Sequence, residues 1–126
     1  MSICLKDAVK KYGEGEAAVY ALDHADLVIG KGEICVILGP SGSGKSTMLN
    51  MLGGLDTLDA GALTIEGRSL IGLTPKERTL YRKEEAGFVF QFYNLIPDLT
   101  VEENIEVVSD ISESPLDLSE VLGALE

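Results

Sequence analysis

The sequence predicts an α/β fold, and three adjoining features predict it. Glu33-Ile34-Cys35-Val36-Ile37-Leu38 is a continuous apolar run closed by Gly39-Pro40, the pattern of a parallel strand covered on both faces. A glycine-rich run follows at once, from Gly39 to Gly44. Beyond it, Met48, Leu49 and Leu52 lie at helical spacing in a segment that starts at Lys45 and stops at Gly53-Gly54.

The remaining elements are justified in chain order. Ile3 to Val9 and Ala21 to Ile29 read as short strands, the second alternating around Leu22, Leu27 and Ile29. The Tyr12-Gly13-Glu14-Gly15 turn joins them into an N-terminal mixed or antiparallel β part. Ala62 to Glu66 reads as another strand before a turn at Gly67. Thr74-Pro75-Lys76-Glu77 has the Thr and Glu of a capping box and Pro at the first helical position, so a helix is expected to about Glu85. Phe88-Val89-Phe90 reads as a compact buried strand. Thr100-Val101-Glu102-Glu103 repeats the capping box and opens a helix through about Val108. Ser114-Pro115 opens a last helix, with Leu118, Val121, Leu122 and Leu125 as its apolar stripe.

Composition limits what such a fold can be. A chain of 126 residues holds one globular domain, and 45% hydrophobic with 25% charged residues is not the composition of a disordered one. No apolar run approaches the ~20 residues of a membrane helix, and the N-terminus lacks a basic region followed by an apolar core. A cytoplasmic location without membrane insertion is therefore expected. Ten basic against 21 acidic residues give a net charge of -11, which disfavours nonspecific binding to nucleic acid or anionic lipid. Cys4 and Cys35 lack CxxC spacing and a neighbouring His cluster, so they read as buried free thiols. His24, the only histidine, reads as a surface residue.

The chemistry lies in Gly39-Pro40-Ser41-Gly42-Ser43-Gly44-Lys45-Ser46, which satisfies G-x-x-x-x-G-K-[ST]. Glycines let successive backbone N–H groups turn inward around a β-phosphate, and the following helix adds the positive end of its dipole. Lys45 is placed to reach β and γ oxygens, the Ser46 hydroxyl to ligate Mg²⁺, and Thr47 to approach an α-phosphate. The site is thus expected to take a nucleotide polyphosphate with Mg²⁺ in a fold of the P-loop NTPase kind.

A phosphate loop does not choose among NTPases, kinases and motors, but other segments carry a closer resemblance. Phe88-Val89-Phe90-Gln91-Phe92-Tyr93-Asn94-Leu95-Ile96-Pro97 resembles the Q-loop of ABC transporter ATPases, and Thr100 to Ile105 the helix after it. The wording Phe-Tyr-Asn-Leu-Ile-Pro is similar to the branch serving macrolide and lipoprotein exporters. With Lys10-Lys11-Tyr12, Tyr20-Ala21-Leu22 and Gly39 to Thr47, the likeness extends to about residue 108. It implies an incomplete ABC nucleotide-binding domain over residues 1–126, with a β and phosphate-loop portion at 1–90 and the Q-loop with the start of a helical subdomain at 91–126. By the same resemblance Gln91 touches Mg²⁺ and the attacking water, and Tyr12 stacks on adenine. The implied partners are a membrane permease and a second nucleotide-binding domain, with the chain peripheral at the inner face of the plasma membrane. Read from the residues alone, Gln91 is a polar edge residue and Tyr12 a turn residue.

The 126 residues contain no Leu-Ser-Gly-Gly-Gln signature, no apolar strand ending in Asp-Glu and no switch His. They are therefore expected to bind ATP without hydrolysing it. Two alternatives stand beside this reading. A guanylate-type nucleoside-monophosphate kinase shares the phosphate loop but begins almost at it, whereas 38 residues precede it here. A non-catalytic nucleotide-binding fragment would retain binding alone.

Overall fold

A computed structural model describes residues 2–111 together with Ser119, Gly123 and Ala124. Its elements are β1 (Ile3–Tyr12), a 3₁₀ turn (Gly15–Ala17), β2 (Val19–Ile29), α1 (Lys45–Leu52), β3 (Ala60–Ile65), β4 (Arg68–Ser69), α2 (Pro75–Glu84) and α3 (Val101–Asp110). The apolar stripe of the last predicted helix, Leu118, Val121, Leu122 and Leu125, lies outside the described residues. Two compact units result, Met1–Arg82 and Lys83–Glu126.

In the first unit β1 lies inside a four-stranded antiparallel sheet of order β2-β1-β3-β4. Ile3 pairs with Ile29 on one side and Ile65 on the other, and Leu5 faces Leu27 and Leu63. Both ladders slip register near Asp7: between Leu5 and Ala8 against β2, and between Lys6 and Val9 against β3. The slip changes the phase of alternation, so Leu5, Ala8 and Lys10 are the buried residues of the strand. Leu22, Leu63, Ile65, Leu70, Met51 of α1 and Tyr81 of α2 complete the core, each large side chain contributing roughly 1.5–3 kcal/mol by leaving water. Tyr81 donates its hydroxyl to the Leu52 carbonyl (2.8 Å) and Arg82 Nη1 donates to the Gly54 carbonyl (2.8 Å). The chain end of α1 is thereby tied to α2.

The slip in β1 is held by side chains. Asp7 N–H donates to Asp26 Oδ1 (2.8 Å), and the Asp7 carboxylate pairs with His24 Nδ1 (2.5 Å), with Asp7 and His24 both at positive φ. His24 is exposed, as expected, and its pKa is raised from 6.5, first by the hydrogen bond to Asp7 and then by that carboxylate's charge; burial opposes weakly and Asp23 adds a further push. A raised folded-state pKa gives stability that is complete below about pH 6.5 and is lost as pH rises through the folded value. His24→Asn tolerates the left-handed backbone but lacks the charge. The gap in melting temperature between wild type and His24→Asn is expected to be widest near pH 6 and to close near pH 9; a gap independent of pH would refute the pair's role.

The second unit is organised by a local signal. Thr100 Oγ1 accepts from Glu103 N–H (3.2 Å) and Glu103 Oε2 accepts from Thr100 N–H (2.7 Å), so the predicted capping box opens α3. Hydrogen bonds to its carboxyl, first from the Thr100 backbone N–H and then from the Thr100 side chain, hold Glu103 below its ordinary pKa against the opposing effect of burial. Asn104 binds the carbonyls of Ile96, Leu99 and Thr100 and accepts from Ile96 N–H, pinning the preceding loop. Thr100→Ala is expected to lower stability by about 0.5–2 kcal/mol, read as a shift in the urea midpoint. The same box opens α2, where Thr74 N–H donates to Glu77 Oε2 (2.8 Å) and Glu77 N–H to Thr74 Oγ1 (3.3 Å).

Three expectations are corrected. Residues 33–38 form no strand: Ile34 is 96% exposed, and Val36 and Leu38 are exposed as well. Residues 88–90 form no strand either; Val89 is 98% exposed, while Phe88 and Phe90 stack on each other at 5.6 Å. The reason is shared. A parallel strand is built by non-local hydrogen bonds to a neighbour, and among the described residues every ladder is antiparallel. Unpaired, the run at 33–38 leaves an apolar cleft of about 360 Å³ between Cys35, Val36, Ile37 and the Leu49 and Leu52 face of α1. Cys35 goes with its segment and is exposed; Cys4 is half-buried, and both thiols are free. Elsewhere the differences are of length, with β1 and β2 longer than expected.

Candidate functional site

The loop from Gly39 to Gly44 enters α1 through a left-handed residue, Gly44 at φ 73°. The segment must approach another backbone closely there: a Cβ built on Gly44 would lie 1.8 Å from the carbonyl oxygen of Ala21 in β2. The loop is thus set against the β1–β2 hairpin, and with Ala21, Leu22, Asp23, Leu38, Ser43, Lys45 and Met48 it bounds a cleft of about 290 Å³.

The loop's own bonds shape it. Ser43 N–H donates to the Pro40 carbonyl (3.2 Å), and Lys45 Nζ folds back to donate to the carbonyls of Gly39 (2.8 Å) and Pro40 (3.0 Å). A Lys ammonium has three protons, so these two bonds leave one for a ligand. The N-terminus of α1 differs from those of α2 and α3 in having no side-chain cap. The first four N–H groups of a helix lack intrahelical partners. For α1 these belong to Gly44, Lys45, Ser46 and Thr47, beside a cationic side chain.

This donor set fits a magnesium polyphosphate. Backbone N–H groups, the helix dipole and Lys45 all favour an anion, the space where Gly42 would carry a Cβ is open, and the hydroxyls of Ser46 and Thr47 follow directly on the helix. Among the described residues no group of three or more His, Cys, Asp or Glu side chains forms a metal site. A divalent ion there would be held by a hydroxyl oxygen together with the nucleotide.

The profile of the ABC transporter family matches residues 22–126. The chain belongs to the ABC transporter family. Among ABC proteins it is 48% identical over 103 residues to the macrolide export ATP-binding/permease protein MacB of Marinobacter nauticus, covering 82% of this chain and 16% of that protein. It is 44% identical over 100 residues to the lipoprotein-releasing system ATP-binding protein LolD of Alcanivorax borkumensis, covering 79% and 44%. The ATP-binding cassette MJ0796 of Methanocaldococcus jannaschii, solved as a dimer in a post-hydrolysis state with ADP and Pi, superposes with a TM-score of 0.83 at 42% identity. That superposition covers 94% of this chain and 51% of the cassette, so the chain spans about half of it. The P-loop NTPase fold of ABC cassettes is therefore the fold of this chain, and the monophosphate-kinase alternative is set aside.

The structure brings Gly39, Pro40, Ser41, Gly42, Ser43, Gly44, Lys45, Ser46 and Thr47 together as one loop and helix start. Gln91 opens an exposed turn in the second unit, where Tyr93 and Asn94 have positive φ. Tyr12 ends β1 opposite Val19, two residues from the Ala21 that meets Gly44. Reading the sequence missed what surrounds Tyr12: Lys10, Asp56 and Thr57 form a network on it across more than 40 residues of chain. No local pattern signals a contact of that separation.

Proposed function

We propose that this chain is the phosphate-gripping part of the ATP-binding subunit of an ABC-type export system, coupling ATP to a membrane permease at the inner face of the plasma membrane. The uncapped start of α1, with Lys45 folded over the loop, carries the reading. The export and lipoprotein-release names of its relatives support the system assigned. In this reading residues 1–90 and 91–126 are the two portions of one incomplete nucleotide-binding domain, which works with a second such domain.

The amides of residues 41–46 hold the β-phosphate, and Lys45 supplies a charge-assisted hydrogen bond to the terminal phosphates. Ser46 would hold Mg²⁺, which neutralises charge on the β and γ oxygens. Tyr12 gives a ring for the adenine to stack on. Phosphoryl transfer relies on positioned charge around an oriented water. The 126 residues carry no signature, no Asp-Glu strand and no switch His to complete such a site, so alone they bind ATP and leave it unattacked.

The test measures ATP binding and phosphate release by this polypeptide at saturating Mg²⁺-ATP, with Lys45→Ala as the control for contaminating ATPase. Binding without release is expected. Turnover that vanishes in the Lys45 variant would overturn the non-hydrolytic part of the reading, and absence of binding would overturn all of it.

A further inference from the structure

The end of β1 carries a cluster that the phosphate site does not use. Lys10 is only 8% exposed. A buried ammonium needs partners, and Nζ donates to Asp56 Oδ1 (2.9 Å) and to the Thr57 carbonyl (2.8 Å). Asp56 Oδ1 also accepts from Thr57 N–H (2.7 Å), while its other oxygen, Oδ2, accepts from the Tyr12 hydroxyl (3.0 Å). The same Lys10 Nζ lies over the Tyr12 ring, 5.3 Å from its centroid.

Tyr12 is nevertheless 45% exposed. An exposed ring at the end of a hairpin ordinarily loses rotamer freedom only when something docks on it. Here the hydroxyl is held by Asp56 and Lys10 Nζ lies over the ring, while nearly half of the residue stays open to a planar ligand. Burial works to raise the Asp56 pKa, but the Lys10 hydrogen bond, the Thr57 amide, the Tyr12 hydroxyl and the Lys10 charge together outweigh it and lower the value. The carboxylate is therefore ionised at neutral pH and available as an acceptor for the phenol.

We propose that Asp56, anchored by Lys10, is a positioning residue that fixes the Tyr12 ring in the orientation in which it stacks on the base of ATP. The inference rests on the base-stacking role given to Tyr12 in the proposed function. Asp56 touches no ligand atom in this account; it acts by removing the ordering cost of the ring before the base arrives. Its effect should therefore depend on the presence of a base and on the presence of the ring.

Calorimetric titration with ATP and with inorganic tripolyphosphate, both with Mg²⁺, separates these dependences. Asp56→Ala is expected to weaken ATP by about two- to tenfold and leave tripolyphosphate unchanged, because tripolyphosphate carries the charge without the base. Asp56→Asn keeps an oxygen for Lys10 Nζ and the Thr57 N–H and turns its NH2 to donate to the Tyr12 oxygen, so it should recover part of the loss. In a Tyr12→Ala background Asp56→Ala should cost nothing more. Equal losses for both ligands, or full additivity with Tyr12→Ala, would overturn the inference. Tyr12→Phe removes only the hydroxyl contact and keeps the test decisive if Asp56→Ala does not fold: unchanged ATP affinity in Tyr12→Phe overturns the inference too. A wild type that binds neither ligand instead removes the nucleotide reading, and the inference falls with it.

Discussion

Lys45→Ala is expected to weaken ATP by roughly 10- to 150-fold, the loss of one charge-assisted hydrogen bond of about 1.5–3 kcal/mol. Lys45 opens α1, and its ammonium already lies over the loop, donating to the Gly39 and Pro40 carbonyls. A terminal phosphate would accept a hydrogen bond from its remaining N–H, a contact between two full charges. Truncation also removes the two ties across the loop, so its amides lose their alignment along with the ligand's counter-charge. Lys45→Met keeps most of the side-chain stem while removing the charge, and should lose nearly as much. Titration with a fluorescent ATP analogue gives the comparison, and equal affinities for wild type and Lys45→Ala would remove the phosphate-loop assignment.

Gly44→Ala is expected to be the most disruptive single-methyl change in the site. At φ 73° an alanine costs about 1–2 kcal/mol in backbone strain alone. Its Cβ would also stand 1.8 Å from the Ala21 carbonyl oxygen, a backbone atom of a paired strand. Relieving that clash moves either the hairpin or the loop, at about 1–3 kcal/mol more. Gly42→Ala is the control, since it has similar positive φ but nothing within 4 Å of the added methyl. Gly44→Ala should therefore lower the urea midpoint more than Gly42→Ala and weaken ATP by at least about tenfold. Equal effects at the two positions would mean that Ala21 does not constrain the loop.

What was legible in the sequence is what local chemistry decides. Thr74 with Glu77 and Thr100 with Glu103 announced two helix starts because each box closes within four residues. The phosphate loop was legible for the same reason, its glycines, Lys45 and Ser46 being consecutive. The runs at 33–38 and 88–90 have the apolar composition of strands, yet a strand exists only with a neighbour, and no ladder takes them up among the described residues. Lys10 was legible only as part of the Lys10-Lys11-Tyr12 likeness, one residue beyond the expected end of its strand at Val9. Its partner Asp56 lies 46 residues away, and no spacing rule reaches that far.

The bare start of α1 bears on how the chain answers to its ligand. At eight residues α1 is shorter than the roughly 12–15 at which isolated helices become even marginal, and unlike α2 and α3 it brings no side chain to serve its first amides. A bound phosphate would supply that service, so nucleotide and helix stabilise each other by the same free energy. Amide exchange should register this unevenly. Protection on adding ATP would concentrate at Lys45, Ser46 and Thr47, while the first turns of α2 and α3, already closed by their own glutamates, would exchange as before.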